Sequence, residues 1–144
     1  MIVLDTNVLS ELMRPQVDPA IGDWINRFSQ GDLFITAITR AEIERGLNLL
    51  PRGKRQSNYR RCADATYKQF KGRCLPFEES AAVQFGLVQA GRQRAGRPIS
   101  TEDAQIASLV LVHGMSLATR NTRDFRLIEN LTLINPWDWA VNPS

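Results

Sequence analysis

The chain has 144 residues, 43% hydrophobic and 23% charged, the size and composition of one ordinary globular domain with room for a sizeable core. No apolar stretch approaches the roughly 20 residues that a membrane-spanning helix needs. The first apolar run stops at Asp5 without a basic start, so a cytoplasmic protein rather than a secreted one is expected. The net charge is +3, and the single histidine, His113, with two cysteines in no CxxC spacing, Cys62 and Cys74, argues against a zinc site and for two buried free thiols.

Taken in chain order, short apolar runs of β type alternate with helical patterns. A strand is expected over 2–4, helices over 6–12 and 19–29, a strand over 33–35 and a helix over 39–50. Pro51-Arg52-Gly53-Lys54 breaks that helix without ending a domain. A helix over 56–71, a weak strand at 75–77, helices over 79–95 and 101–113, and strands over 117–119 and 131–134 complete the pattern. The strands are apolar on both faces, as in a parallel sheet covered on both sides. The expected fold is therefore α/β: a three-layer α/β/α sandwich with a central, mostly parallel sheet, in one domain spanning 1–144.

In such sheets ligands bind beyond the carboxyl ends of the strands, where strand order reverses. Asp5 sits directly after the first strand, and Asn121 and Asp124 follow the fourth. In the helix TRAEIERGLNLL, Ile43, Leu47 and Leu50 define an apolar arc that Gly46, Leu49 and Ile38 widen; Glu42 falls inside it and Glu44 outside. A carboxylate on a buried face needs a partner. Glu42 snorkels to the rim, pairs with an arginine such as Arg45 or Arg40, or joins a functional cluster. Asp103 lines up with Ile106 and Val110 on the inward face of the last long helix, although Ser100 and Asp103 also read as a capping pair suited to the helix dipole. Thr6 and Asn7 are candidate caps for the short helix that follows Asp5, and Thr6 also brings a hydroxyl to the same edge. Helix starts and strand ends share one edge of a parallel α/β sheet, so Asp5, Glu42 and Asp103 are expected to converge. With oxygen donors only, the cation for such a cluster is Mg2+ or Mn2+. His113, in an HGM turn, reads as structural.

Basic residues are concentrated. Eight of the 18 lie between Arg52 and Arg73, opposed only by Asp64, and Arg92, Arg94 and Arg97 follow. With Tyr59 and Tyr67 interleaved, such a patch suits a phosphate backbone as well as plain solvated surface. Arg52, Lys54, Arg55, Arg92 and Arg94 are the candidate nucleic-acid contacts. A carboxylate metal site beside arginine-rich surface suits phosphodiester cleavage.

Four motifs, LDTNVLSEL, TRAEIERGL, ISTEDAQIASLV and LATRNTRDF followed by INPW, resemble a PIN-domain ribonuclease, most of all a VapC-type toxin, over essentially the whole chain. The resemblance implies an Mg2+- or Mn2+-dependent endoribonuclease, the toxin of a type II toxin–antitoxin pair. It would cut RNA, be held by a cognate antitoxin, and form a homodimer or larger assembly. It assigns the catalytic acids to Asp5, Glu42, Asp103 and, three residues after the usual position at Asn121, Asp124, with the metal on Asp5 and Asp103 and with Thr6 and Asn121 as auxiliaries. The stretch Leu9 to Met13, with Trp24 and the basic helix, then becomes a candidate antitoxin face, or else core. Two other readings compete with it on the residues. A receiver-like Mg2+-binding signalling domain needs paired acids after the first strand, and Glu78-Glu79 follow the third instead. A non-enzymatic RNA-binding module would use the basic surface alone.

Overall fold

The computed structural model describes residues 1–139, so the last residues of the expected 1–144 domain lie outside the described residues. Five strands form one sheet: β1 (Ile2–Leu4), β2 (Leu33–Thr36), β3 (Cys74–Leu75), β4 (Ser116–Ala118) and β5 (Thr132–Ile134). Their order is β3-β2-β1-β4-β5, and every neighbouring pair is parallel. The helices are α1 (Thr6–Leu12), α2 (Pro19–Ile25), α3 (Ala37–Leu49), α4 (Lys54–Gln69), α5 (Glu79–Arg94), α6 (Thr101–Val112), α7 (Thr122–Phe125) and α8 (Pro136–Trp139). Among the described residues no helix is long and apolar enough to cross a membrane.

The alternation of side chains along each strand divides the core in two. Ile2 and Leu4 of β1, with Leu33 and Ile35 of β2, pack against Leu9, Trp24, Leu47 and Tyr67 of α1 to α4. Val3 of β1 and Leu117 of β4 face the other way, against Val88 of α5, Phe125 of α7 and the apolar face of α6. The three-layer sandwich expected from strands apolar on both faces is thus realised. Ala104, Ile106, Ala107, Leu109 and Val110 of α6 are buried almost completely, which makes α6 the helix that anchors its layer. Each large aliphatic side chain so buried contributes about 1.5–3 kcal/mol relative to exposure. The α6 helix stops at His113, whose backbone N–H returns to Leu109, and Gly114 turns the chain at φ 63°. His113 is exposed at the end of α6 remote from the strand carboxyl ends.

Several local expectations are corrected. The helix expected over 19–29 stops at Ile25, where Asn26 caps it and Phe28 folds back edge-on to Trp24 at 5.0 Å. Leu49, which periodicity places in the apolar arc of α3, is 68% exposed, because α3 ends there and the chain leaves through Leu50. Neither Thr6 nor Asn7 caps α1. Asp5 does so, its Oδ1 accepting from the Thr6 N–H at 2.8 Å. The thiols of Cys62 and Cys74 are free but half-buried rather than buried.

Strand order reverses at β1. From there the chain goes to β2 on one side, and β4 later occupies the other. The crevice between the carboxyl ends of β1 and β4 is the position at which open parallel sheets take ligands.

Candidate active site

Asp5 stands at that reversal. Its backbone N–H donates to Ala118 O at 2.9 Å, which fixes the end of β1 against the end of β4. The residue is 3% exposed, and three donors surround its carboxylate. Oδ1 accepts from the Thr6 N–H, while Oδ2 accepts from the Thr119 hydroxyl at 2.7 Å and from Asn7 Nδ2 at 3.1 Å. Burial pushes the Asp5 carboxyl above its ordinary range, and the charge of Asp124 adds to the effect; the three hydrogen bonds hold it back.

Glu42 reaches the same edge from α3. Thr6 donates its hydroxyl to Glu42 Oε1 at 2.8 Å, and Thr6 Oγ1 lies 3.0 Å from Thr39 Oγ1. A hydroxyl has one proton to give, so with Thr6 committed to Glu42 the Thr39 hydroxyl is the donor to Thr6. The result is a directed chain, Thr39 to Thr6 to Glu42. Among the described residues neither Arg40 nor Arg45 pairs with Glu42. Glu44, expected to face solvent, is bound by Arg60 at 2.7 Å. Burial raises Glu42, and the charges of Asp5 and Glu102 raise it further against the Thr6 hydrogen bond.

Asp103 sits in the first turn of α6, where Ser100 Oγ accepts from its backbone N–H at 3.1 Å. The capping role expected of Ser100 is real. It does not exhaust Asp103, which is half-buried and whose carboxyl is pushed up to about 6 by burial first, then by the charges of Asp5, Asp124 and Glu42. Asp124 lies exposed in the first turn of α7 and bears electrostatically on both Asp5 and Asp103. Among the described residues neither Arg120 nor Arg123 forms an ion pair with it. Asn121 acts through its backbone N–H, which donates to Thr119 Oγ1 at 3.0 Å.

Thr119 and Thr39 belong to the hydrogen-bond network around these acids, and sequence reasoning missed both. Thr119 is fully buried, donates to Asp5 and accepts from Asn121, while Asn7 Oδ1 accepts from the Arg120 N–H at 3.0 Å. The loop after β4 is thereby stapled to the start of α1. A hydroxyl directly after the fourth strand, at the edge where the acids converge, is the signal that could have found Thr119.

The donor set fits a hard divalent cation. Every side-chain oxygen that converges here belongs to a carboxylate, a hydroxyl or an amide. Among the described residues Asp5, Glu42 and Asp103 enter no ion pair, and a neighbouring acid raises each of them. Among the described residues no three acids stand close enough together to hold an ion by themselves.

The basic residues divide. Arg52, Lys54 and Arg55 are exposed around the α3–α4 turn, and Arg94 is exposed at the end of α5. Arg55 lines, with Glu42, Ile43 and Tyr59, a groove of about 270 Å3 that opens at the acidic edge. Arg92 is different. It is 8% exposed, and its guanidinium donates to Arg97 O at 2.7 Å and to Asp124 O at 2.6 Å. It pins α7, which carries Asp124, and is buried rather than presented to a passing phosphate. The candidate antitoxin face is likewise corrected at Leu9, Met13 and Trp24, which are core. Glu78 and Glu79, which bear on the receiver-like reading, follow the edge strand β3, two strands from β1, and are exposed.

A parallel sheet of this order with acids gathered at the β1/β4 crevice defines a class, and the chain belongs to it: the PIN-domain family, whose model matches residues 2–131. It is 38% identical to the VapC ribonuclease Y4jK of Sinorhizobium fredii over 97% of this chain and 100% of that protein. It is 34% identical to the toxin FitB of Neisseria gonorrhoeae over 95% of this chain and 99% of that one. The solved structure of FitAB bound to an IR36 DNA fragment superposes with a TM-score of 0.86 at 35% identity, covering 95% of this chain and 96% of its counterpart.

Proposed function

We propose that this chain is an Mg2+- or Mn2+-dependent endoribonuclease, the toxin of a type II toxin–antitoxin pair, acting in the cytoplasm as a single nuclease domain. The observation that carries the reading is the set Asp5, Glu42 and Asp103 on the edge where strand order reverses, none of which enters an ion pair among the described residues. The relatives named VapC ribonuclease and FitB toxin support RNA as substrate and a toxin's role. The FitAB structure, in which the similar chain is named with a partner, supports a cognate antitoxin, and a homodimer or larger assembly is part of the same proposal.

Asp5 and Asp103 would hold the cation, with Glu42 and Asp124 completing the acidic ring. A bound divalent ion supplies an activated water and neutralises charge on the scissile phosphate. The chain supplies order. Thr119, Asn7 and the Thr6 N–H fix the Asp5 carboxylate, so that its remaining lone pairs have one direction. Thr39 and Thr6 hold Glu42 Oε1 by a directed hydroxyl chain, leaving Oε2 to accept a proton. Arg92 holds α7, and Asp124 with it, in place from behind.

The test is cleavage of purified tRNA in Mn2+ by the wild type and by Asp5→Asn with Glu42→Gln. Loss of cleavage and of growth inhibition in a variant that still melts cooperatively is the expected result. Undiminished cleavage would falsify the mechanism.

A further inference from the structure

The acidic edge repels a phosphate backbone, so a nuclease built on it must find affinity elsewhere. On α3, Arg40 and Glu42 are two residues apart, about 200° around the helix, and therefore on opposite sides. On the Arg40 side, α3, the end of α4 and β3 enclose a hollow of about 550 Å3. Three cations rim it, Arg40, Lys68 and Lys71, over a floor formed by Ile35 and Phe70. The single acid among its lining residues, Asp64, already faces Arg60 at 3.8 Å. Among the described residues Arg40, Lys68 and Lys71 enter no ion pair.

Neighbouring cations are committed elsewhere. Arg60 binds Glu44, and Arg73 donates to the carbonyls of Gln30, Leu33 and Gln69. The three that remain enter no ion pair among the described residues, although the Arg40 charge also bears on Glu44 one turn along α3, and one of them is held in place. The Arg40 guanidinium lies 4.3 Å from the ring centroid of Tyr67, a residue only 8% exposed. A buried ring cannot swing away, so the arginine is ordered before any anion arrives and loses less entropy on binding one.

We propose that the Arg40–Lys68–Lys71 hollow is a phosphate-binding subsite of the RNA track, set on the far side of α3 from the acidic edge. The proposal rests on the nuclease reading for its ligand, but not for its test. Substrate would cross the start of α3, with one phosphate at the acids and its flanking phosphates in the hollow.

The experiment measures binding of a fluorescent single-stranded RNA to the full chain in EDTA, where no cleavage occurs, as a function of salt. For single strands, each phosphate that goes unneutralised lowers the slope of log K against log salt by about 0.7. Arg40→Gln with Lys68→Gln and Lys71→Gln is expected to reduce the slope by about 2 and to bind more weakly at low salt. Arg40→Lys, which keeps the charge, is expected to keep the slope. If the triple variant melts early, the single changes at exposed Lys68 and Lys71 each read a reduction of about 0.7. Slopes equal to wild type in folded variants overturn the proposal. So does poly-glutamate that binds as tightly as RNA and no longer binds the same variants, since the hollow would then serve an acidic peptide. Cleavage by the wild type in Mn2+ is scored separately. Its absence overturns the nuclease reading and leaves the salt-slope result standing.

Discussion

Thr119 donates its hydroxyl to Asp5 Oδ2 at 2.7 Å, joining the residue after β4 to the residue after β1 with both side chains buried. The bond orients the carboxylate at the centre of the site and favours its ionised form. Thr119→Val preserves shape and removes the donor. The Asp5 pKa then rises further, because a hydrogen bond that lowered it is gone. Cleavage at neutral pH is expected to fall by roughly 10–100-fold, as for other residues that orient a metal ligand. The acid limb of the pH–rate profile is expected to move to higher pH. A proportional loss at every pH, with the limb unmoved, would assign Thr119 to packing alone.

The same reasoning applies at Thr6, whose side chain serves Glu42. Thr6→Ser keeps a hydroxyl and Thr6→Val does not. The serine variant is expected to retain most of the activity and the valine variant to lose it, with little change in stability for either because Thr6 is half-exposed. Equal activities in the two variants would sink the idea of a directed chain through Thr39.

What is legible in the sequence follows from the physics of each signal. Asp5 stands out because a carboxylate interrupts a strand apolar on both faces, and no packing rule explains it. Glu42 stands out from the helical arc even though Leu49, one of the residues drawn into that arc, is exposed; Ile43 and Leu47 are sufficient to orient the helix. Thr119 leaves no such mark. A neutral hydroxyl carries neither charge nor periodicity, and its significance lies in a hydrogen bond to Asp5 across 114 positions. Arg92 misleads because a run of arginines looks like surface, whereas its two carbonyl acceptors are visible only once α5 is folded against α7.

The raised acids make stability depend on pH in a definite direction. Asp103 lies near 6 in the folded chain against 3.8 as its ordinary value, so the folded state binds more protons than the unfolded one between those values. Its contribution is fully present below the unfolded value and is lost as pH rises through about 6. Asp5 and Glu42 act in the same sense. In EDTA the Tm of the wild type is therefore expected to drop more steeply between about pH 5 and pH 7.5 than that of Asp103→Asn. Added Mg2+ is expected to restore Tm at the higher pH and to do little at the lower. Parallel Tm curves for wild type and variant, with no effect of Mg2+, would remove the acids from the account.

Arg92 and Arg94 sit two residues apart on α5 and are expected to behave as different kinds of residue. Arg92 is buried with its charge satisfied by Arg97 O and Asp124 O, so Arg92→Leu strands two carbonyls and frees α7, which carries Asp124. Hydrogen bonds from a charged donor are worth about 1.5–3 kcal/mol each, so a loss of about 2–4 kcal/mol in urea denaturation is expected after partial rehydration of the carbonyls. Cleavage should fall with it, because Asp124 is no longer held beside Asp5 and Asp103. Arg94 is exposed at the helix end, where Arg94→Gln is expected to change stability by less than about 0.5 kcal/mol. With Arg94 on the RNA backbone, the salt slope of RNA binding falls by about 0.7 in Arg94→Gln and stays at the wild-type value in Arg92→Leu. The reverse pattern, with Arg92→Leu as stable as wild type and weakened only in RNA binding, would return Arg92 to the surface and withdraw its role in positioning Asp124.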